Sequence, residues 1–224
     1  MTRVAVTTDR FDAVAPAYTS VGLEPVALPC VRVEVADART LEQARIACTA
    51  AELVLLTSAR TVDLLWRDKM MPSVAVAAVG RSTADAAALR GGRIVAVGSG
   101  GLAELVEEEA TRFRSAGVVF PRAVGSDAVA RRLLTGLAPS LQEFEVYRTV
   151  PLAPLSVPVD AVSFASPSAA KGWHLSRDLT GLVVGAIGRS TSATAARWRE
   201  PDVVAPSPSH RALARALASH MEVI

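Results

Sequence analysis

Eight short apolar runs alternate with alanine-rich windows along the chain. They are Arg3–Thr8, Glu52–Ser58, Ser73–Gly80, Arg93–Gly98, Gly117–Arg122, Asp160–Ser166, Leu182–Gly188 and Asp202–Ser207. Each is apolar nearly throughout rather than at every second position, the pattern of a strand covered on both faces within a parallel sheet. The windows between them predict helices. Ser82 and Ser190 are expected as N-caps, the Gly91–Gly92 pair stops one helix, and Pro201 follows another. Strand and helix in alternation predict an α/β fold, doubly wound. Two segments read differently: in Ala27–Ala36 and Glu143–Leu152, Val alternates with Arg and Glu. That alternation predicts strands solvated on one side, suited to a two-stranded connector between domains. Pro151, Pro154 and Pro158 then stiffen the chain after the second.

The pattern repeats. Ala78–Ala87 (AVGRSTADAA) returns as Ala186–Ala195 (AIGRSTSATA), and at the same offset Ser58 matches Ser166 and Val95 matches Val203. A weaker echo links Val4–Pro25 with Gly117–Pro139. The repeating unit is far longer than a solenoid repeat, so it predicts an internal duplication giving two similar domains rather than an array.

Composition narrows the class without choosing a function. The chain is 224 residues long, 50% hydrophobic and 4% aromatic, which suits packed α/β layers better than disorder. A formal charge of +2, with no Lys/Arg tract, gives no reason to expect nucleic acid. No run reaches the length of a membrane helix and no signal peptide opens the chain, so a cytoplasmic protein is expected. Cys30 and Cys48 stand apart from any Cys/His cluster and are expected as reduced thiols.

In open parallel sheets, ligands bind where the carboxyl ends of strands turn into helices. Leu55–Val62 and Ser163–Ala170 each end a strand with Ser, Thr or Pro before a helix, and the two GRST segments do so with Gly, Arg, Ser and Thr. Free N–H groups, the helix dipole and nearby hydroxyls favour phosphate or carboxylate there. Each hydroxyl also reads as a plain helix cap, and Gly80 and Gly188 read equally as plain turns or as points of close ligand approach. Four such loops paired by duplication predict a cleft lined by anion-binding termini. Tyr147, in the proposed connector, could present its phenol as a donor or weak acid, or be half-packed on a strand. His174, His210 and His220 lack metal-like spacing, and the Gly98–Gly101 turn lacks the spacing of a dinucleotide loop.

Taken in order, Val4–Arg10, Leu28–Val35, Leu55–Leu65, Val76–Ala86, Gly117–Ala123, Phe144–Val150, Val162–Ala170 and Gly185–Ala195 resemble the uroporphyrinogen-III synthase family over nearly the full length. The resemblance implies two flavodoxin-like domains, with parallel sheets flanked by helices, joined by a two-stranded ladder around a deep cleft. Residues 1–30 would pack with 155–224, residues 37–142 would form the other domain, and 31–36 and 143–154 would be the connector strands. The N-terminal segment is thereby swapped relative to the sequence repeat.

The activity implied is cyclisation of hydroxymethylbilane to uroporphyrinogen III, with loss of water and inversion of ring D, and with no cofactor or metal. The substrate carries eight carboxylates. By resemblance, Tyr147 assists departure of the hydroxyl, while Thr57, Ser58, Thr83, Ser166, Ser168, Ser190 and Thr191 contact carboxylates. Arg10 and Arg122 are charge partners, although Asp9 stands between Thr8 and Arg10 where the family often has Thr directly followed by Arg. Arg81 and Arg189 take no role. A monomer with no nucleic-acid or membrane partner is expected, in transient contact at most with a neighbouring pathway enzyme. The rival class is a non-catalytic two-domain sensor closing on an anionic ligand, which is expected to carry an added DNA-binding or partner domain that this chain is expected to lack.

Overall fold

The computed structural model describes residues 1–99, 101–126 and 128–222. In chain order it begins β1 (Arg3–Val6), α1 (Phe11–Thr19), β2 (Glu24–Ala27), β3 (Val31–Val35), α2 (Ala38–Ala50), β4 (Leu53–Leu56) and α3 (Ala59–Trp66). There follow β5 (Ala75–Val79), α4 (Arg81–Leu89), β6 (Arg93–Gly98), α5 (Leu102–Glu108), α6 (Ala110–Arg114), β7 (Val118–Ala123), α7 (Ala128–Leu137) and β8 (Leu141–Pro151). The chain ends with β9 (Ala161–Phe164), α8 (Pro167–Trp173), β10 (Val183–Ala186), α9 (Arg189–Ala195), β11 (Val203–Val204) and α10 (His210–Glu222). It divides into two units, residues 1–33 with 149–224, and residues 34–148.

The first unit holds a five-stranded sheet in the order β11-β10-β9-β1-β2, parallel at every pairing. In the second, the order is β3-β8-β7-β4-β5-β6, parallel from β8 to β6. Each sheet sets a strand and its neighbour (β1 and β2; β7 and β8) against a run of three extending the other way (β9 to β11; β4 to β6). The edge pair β3 and β8 runs antiparallel. Ala36 N donates to Val146 O at 3.0 Å and Leu152 N to Cys30 O at 2.8 Å, so one index falls as the other rises.

Continuous apolar runs work here because each face of each sheet carries helices. Along β1, Val4 and Val6 join Tyr18, Leu213 and Leu217 under α1 and α10, while Ala5 faces Phe164, Trp173 and Ala195 under α8 and α9. In the second unit, Leu53, Leu55, Val118 and Phe120 pack beneath α5, α6 and α7. Helices α2, α3 and α4 form a separate packed layer. Glu24–Ala27 was not expected as a separate strand: it is short and contains Pro25, yet at the sheet edge Pro25 needs no donor toward solvent.

Two capping expectations are corrected. Ser82 and Ser190 lie one residue inside their helices, and the N-cap positions belong to Gly80 and Gly188, with no side-chain cap bond at either. Asp37, Ser58 and Ser166 cap by accepting from backbone N–H groups.

Gly172 marks the tightest approach in the first unit. A Cβ there would overlap the carbonyl oxygen of Cys30 and lie 2.7 Å from that of Leu152. Both are backbone atoms, and the Cys30 carbonyl is already held by the hydrogen bond from Leu152 N, so neither yields easily. Gly172→Ala is expected to lower stability by about 1–3 kcal/mol, read as a lower urea midpoint with unchanged slope.

Candidate functional site

Crossover helices bring the candidate loops to the carboxyl ends of their strands, and each unit gathers its own set. In the second unit, Thr57 and Ser58 follow β4, and the Ser58 hydroxyl accepts from Arg60 N at 3.2 Å. Gly80 follows β5 with φ +81°, a backbone region that side chains rarely enter, and its N–H donates to Gly98 O at 2.8 Å. Thr83 is 3% exposed, so its hydroxyl is shut inside the unit. Arg81 is solvent-exposed beside Asp85 at 3.8 Å.

Tyr147 lies on β8, 8% exposed, opposite Ala123 at the end of β7. The Arg60 guanidinium sits 5.9 Å from the centre of its ring, within the range of a cation–π contact. Sequence reasoning overlooked Arg60. The available signal was its place two residues after the Ser58 cap, in the first turn of α3. Tyr147 also lines a cavity of about 300 Å³ bounded by Glu34, Val35, Ala36, Val124, Glu145 and Arg148.

Arg122, expected as a charge partner of the substrate, has its guanidinium engaged by protein groups. It is 4% exposed and donates to Glu143 at 3.1 Å, Glu145 at 2.8 Å and Ala123 O at 3.0 Å. Arg131 grips the same Glu143 with two bonds of 2.6 Å. The hydrogen bond from Arg131, reinforced by that from Arg122 and by both positive charges, holds the Glu143 carboxyl below its ordinary range despite partial burial.

The first unit carries the corresponding loops. Thr7, after β1, donates to Ser163 O at 2.6 Å and tethers the ends of the two central strands. Ser166 caps α8, accepting from Ala169 N at 3.1 Å, and Ser168, the second residue of the helix, is half-buried. Ser190 is exposed at the start of α9, with Arg189 exposed beside it, whereas Thr191 is 2% exposed. Arg10 is exposed at the start of α1, its N–H donating to the Thr8 hydroxyl at 3.3 Å. Beneath these loops, the Tyr18 hydroxyl meets the Ser163 hydroxyl and lies 3.1 Å from His210 Nδ1. Burial pushes the Tyr18 phenol up to about 12 and holds His210 below its usual value, so both are neutral partners near pH 7.

A larger cavity, about 630 Å³, lies at the amino end of β10 beside the stacked rings of His174 and Trp198, away from the carboxyl-end loops. Among the described residues no His/Cys/Asp/Glu group could hold a metal ion, and no helix is long and apolar enough to cross a membrane. Of the Gly98–Gly101 turn, Gly100 lies outside the described residues.

Two parallel sheets flanked by helices, with hydroxyl-bearing loops at their carboxyl ends, define a mixed α/β protein of the doubly wound class. The family model for uroporphyrinogen-III synthase HemD matches residues 12–215, and the chain belongs to that family. Its structure is similar to uroporphyrinogen-III synthetase from Helicobacter pylori 26695, with a TM-score of 0.70 at 16% identity over 100% of both chains. It is also similar to a mutant uroporphyrinogen III synthase from the extremely thermophilic bacterium Thermus thermophilus, with a TM-score of 0.65 at 16% identity over 100% of both chains. The wild-type Thermus thermophilus enzyme gives a TM-score of 0.52 at 16% identity, covering 100% of this chain and 99% of that one. No curated protein sequence matches the chain.

Two measurements check the local physics. Because the Glu143 pKa is lowered in the fold, the folded state binds fewer protons than the unfolded one in acid. That stabilisation is complete above the ordinary carboxylate value of about 4.3 and is lost as pH falls through the lowered folded value. The urea midpoint is therefore expected to drop below about pH 4.3, and Glu143→Gln to flatten that drop. Gly80→Ala is expected to cost about 1–2 kcal/mol for its positive φ. At Gly188, φ is 177°, ordinary extended backbone with nothing within 4 Å of a Cβ, so Gly188→Ala should leave the midpoint unchanged.

Proposed function

We propose that the chain acts as a lyase that cyclises hydroxymethylbilane to uroporphyrinogen III, with Tyr147 as the acid that assists departure of the ring A hydroxyl. The supporting observation is the position of Tyr147, on the wall of a 300 Å³ cavity beneath the Arg60 guanidinium, in a chain matched by the family over residues 12–215. In this reading, the phenol gives its proton to the leaving hydroxyl, which departs as water and leaves ring A as an azafulvenium cation. The substituted carbon of ring D attacks it to form a spiro-pyrrolenine, and fragmentation and reclosure invert ring D; the tyrosinate regains a proton when the closed macrocycle becomes aromatic at ring D.

The accessible hydroxyls and N–H groups at Thr57, Ser58, Ser166, Ser168 and Ser190, together with Arg10, are assigned to the carboxylates of the substrate. Many modest, well-placed hydrogen bonds suit a flexible octa-anion, because each restricts the chain toward the shape in which its ends react. The buried hydroxyls of Thr83 and Thr191 are assigned to the scaffold. The two GRST turns follow β5 and β10, which occupy the same place in their sheets, and we attribute this to duplication of one ancestral unit.

The decisive assay supplies freshly made hydroxymethylbilane and resolves the product isomers. The type III isomer is expected; finding only the spontaneously formed type I isomer would falsify the reading. Tyr147→Phe should lower kcat by about 10- to 100-fold with little change in KM, as expected for loss of a general acid.

A further inference from the structure

Residues 143, 145 and 147 of an unbroken strand would share one face of the sheet. In β8 they do not. Glu143 pairs with Phe120 and Glu145 with Arg122, but Tyr147 pairs with Ala123, so Val146 is one residue too many. Arg122 and Ala123 are consecutive and point to opposite faces. The extra residue therefore carries Tyr147 to the face opposite Glu143 and Glu145.

Two independent contacts agree with that assignment. Glu143 meets Arg131 of α7, in the layer of α5 to α7, whereas Tyr147 lies under Arg60 of α3, in the layer of α2 to α4. Burial follows the same break, since Val146 and Tyr147 are consecutive and both buried. Without the bulge, Tyr147 would face α7.

We propose that Arg122 is a positioning residue for Tyr147, acting by clamping β8 immediately ahead of this bulge. The inference rests on the assignment of Tyr147 as the acid. A bulge can in principle migrate by a residue, and a slip of one turns a side chain to the other face. Arg122 opposes the slip. Its single buried guanidinium holds Glu143 and Glu145 together and also bonds the carbonyl of Ala123, the partner of Tyr147. Val124 N of the β7 side bonds Tyr147 O at 2.8 Å and Ala36 N of the β3 side bonds Val146 O at 3.0 Å, so the two residues of the bulge are held from opposite sides. Truncating Arg122 releases Glu145 and leaves Glu143 to Arg131 alone, allowing β8 to sample registers in which the phenol is turned away.

The test is a double-mutant cycle with a spectroscopic arm. Arg122→Met is expected to lower kcat on the order of 10-fold with KM nearly unchanged, the scale of a misplaced catalytic group. In a Tyr147→Phe background, the same change should cost less than about twofold more, because the group it positions is already gone. Equal losses in both backgrounds would overturn the proposal. The chain has two tyrosines, so protein labelled with 3-fluorotyrosine gives two fluorine resonances. The Tyr147 signal, identified by its loss in Tyr147→Phe, should shift or broaden in Arg122→Met while the Tyr18 signal stays in place. An unmoved Tyr147 signal would also overturn the proposal. If Arg122→Met fails to fold, Arg122→Lys, which retains the charge but cannot bridge two carboxylates with a planar fork, is read in the same way. Unchanged turnover in Tyr147→Phe would overturn the assignment of the acid, and the fluorine spectrum would still decide the clamp.

Discussion

A parallel strand cannot return through a tight turn, so each must be followed by a crossover, and in this chain most crossovers are helices. Much else depends on that constraint. It makes the strands apolar on both faces, because helices cover both, and it places the start of successive helices along one edge of each sheet. Thr57, Ser58 and Gly80 in one unit, and Thr8, Ser166 and Gly188 in the other, lie at such strand-to-helix turns. Ser and Thr suit these turns for two reasons at once. They satisfy the first unpaired N–H groups of a helix, and they present hydroxyls where an anion finds donors and a favourable dipole.

The same edge carries a register irregularity of the second unit. A four-charge cluster of Arg122, Arg131, Glu143 and Glu145 sits beside a one-residue irregularity in β8. Burying an arginine is costly unless its donors are filled, and Arg122 fills them with two carboxylates and a carbonyl. Such a cluster adds little net stability over an apolar packing of equal volume. Beyond Tyr147, β8 parts from β7 and continues as the partner of β3 at the edge of the same sheet.

The two repeated turns illustrate how similar sequences can meet different local demands. Gly80 adopts a positive φ and must be glycine for conformational reasons. Gly188 is extended and open, with no conformational or packing constraint on its side chain. From the sequence both read equally as turns or as close approaches to a ligand; the backbone angle separates them. Caps were misplaced for a related reason. Ser82 and Ser190 look like N-caps by composition, but the preceding glycine takes the non-helical position and draws the serine into the helix.

What the sequence determined by itself is what local pattern can carry: the positions of the buried strands, the α/β class, and the strand-to-helix turns where hydroxyls gather. These follow from runs of apolar residues and from short-range capping chemistry, which depend on neighbours along the chain. The tertiary structure decided the rest. Arg122 belongs to a buried ion cluster rather than to the solvent, Thr83 and Thr191 are enclosed, and Arg60 stands over Tyr147. Each of these depends on which residues face each other across strands distant in sequence. For Tyr147 in particular, the face it occupies is set by one unpaired residue in the register of β8 against β7, and register is a property of two strands that neither carries alone.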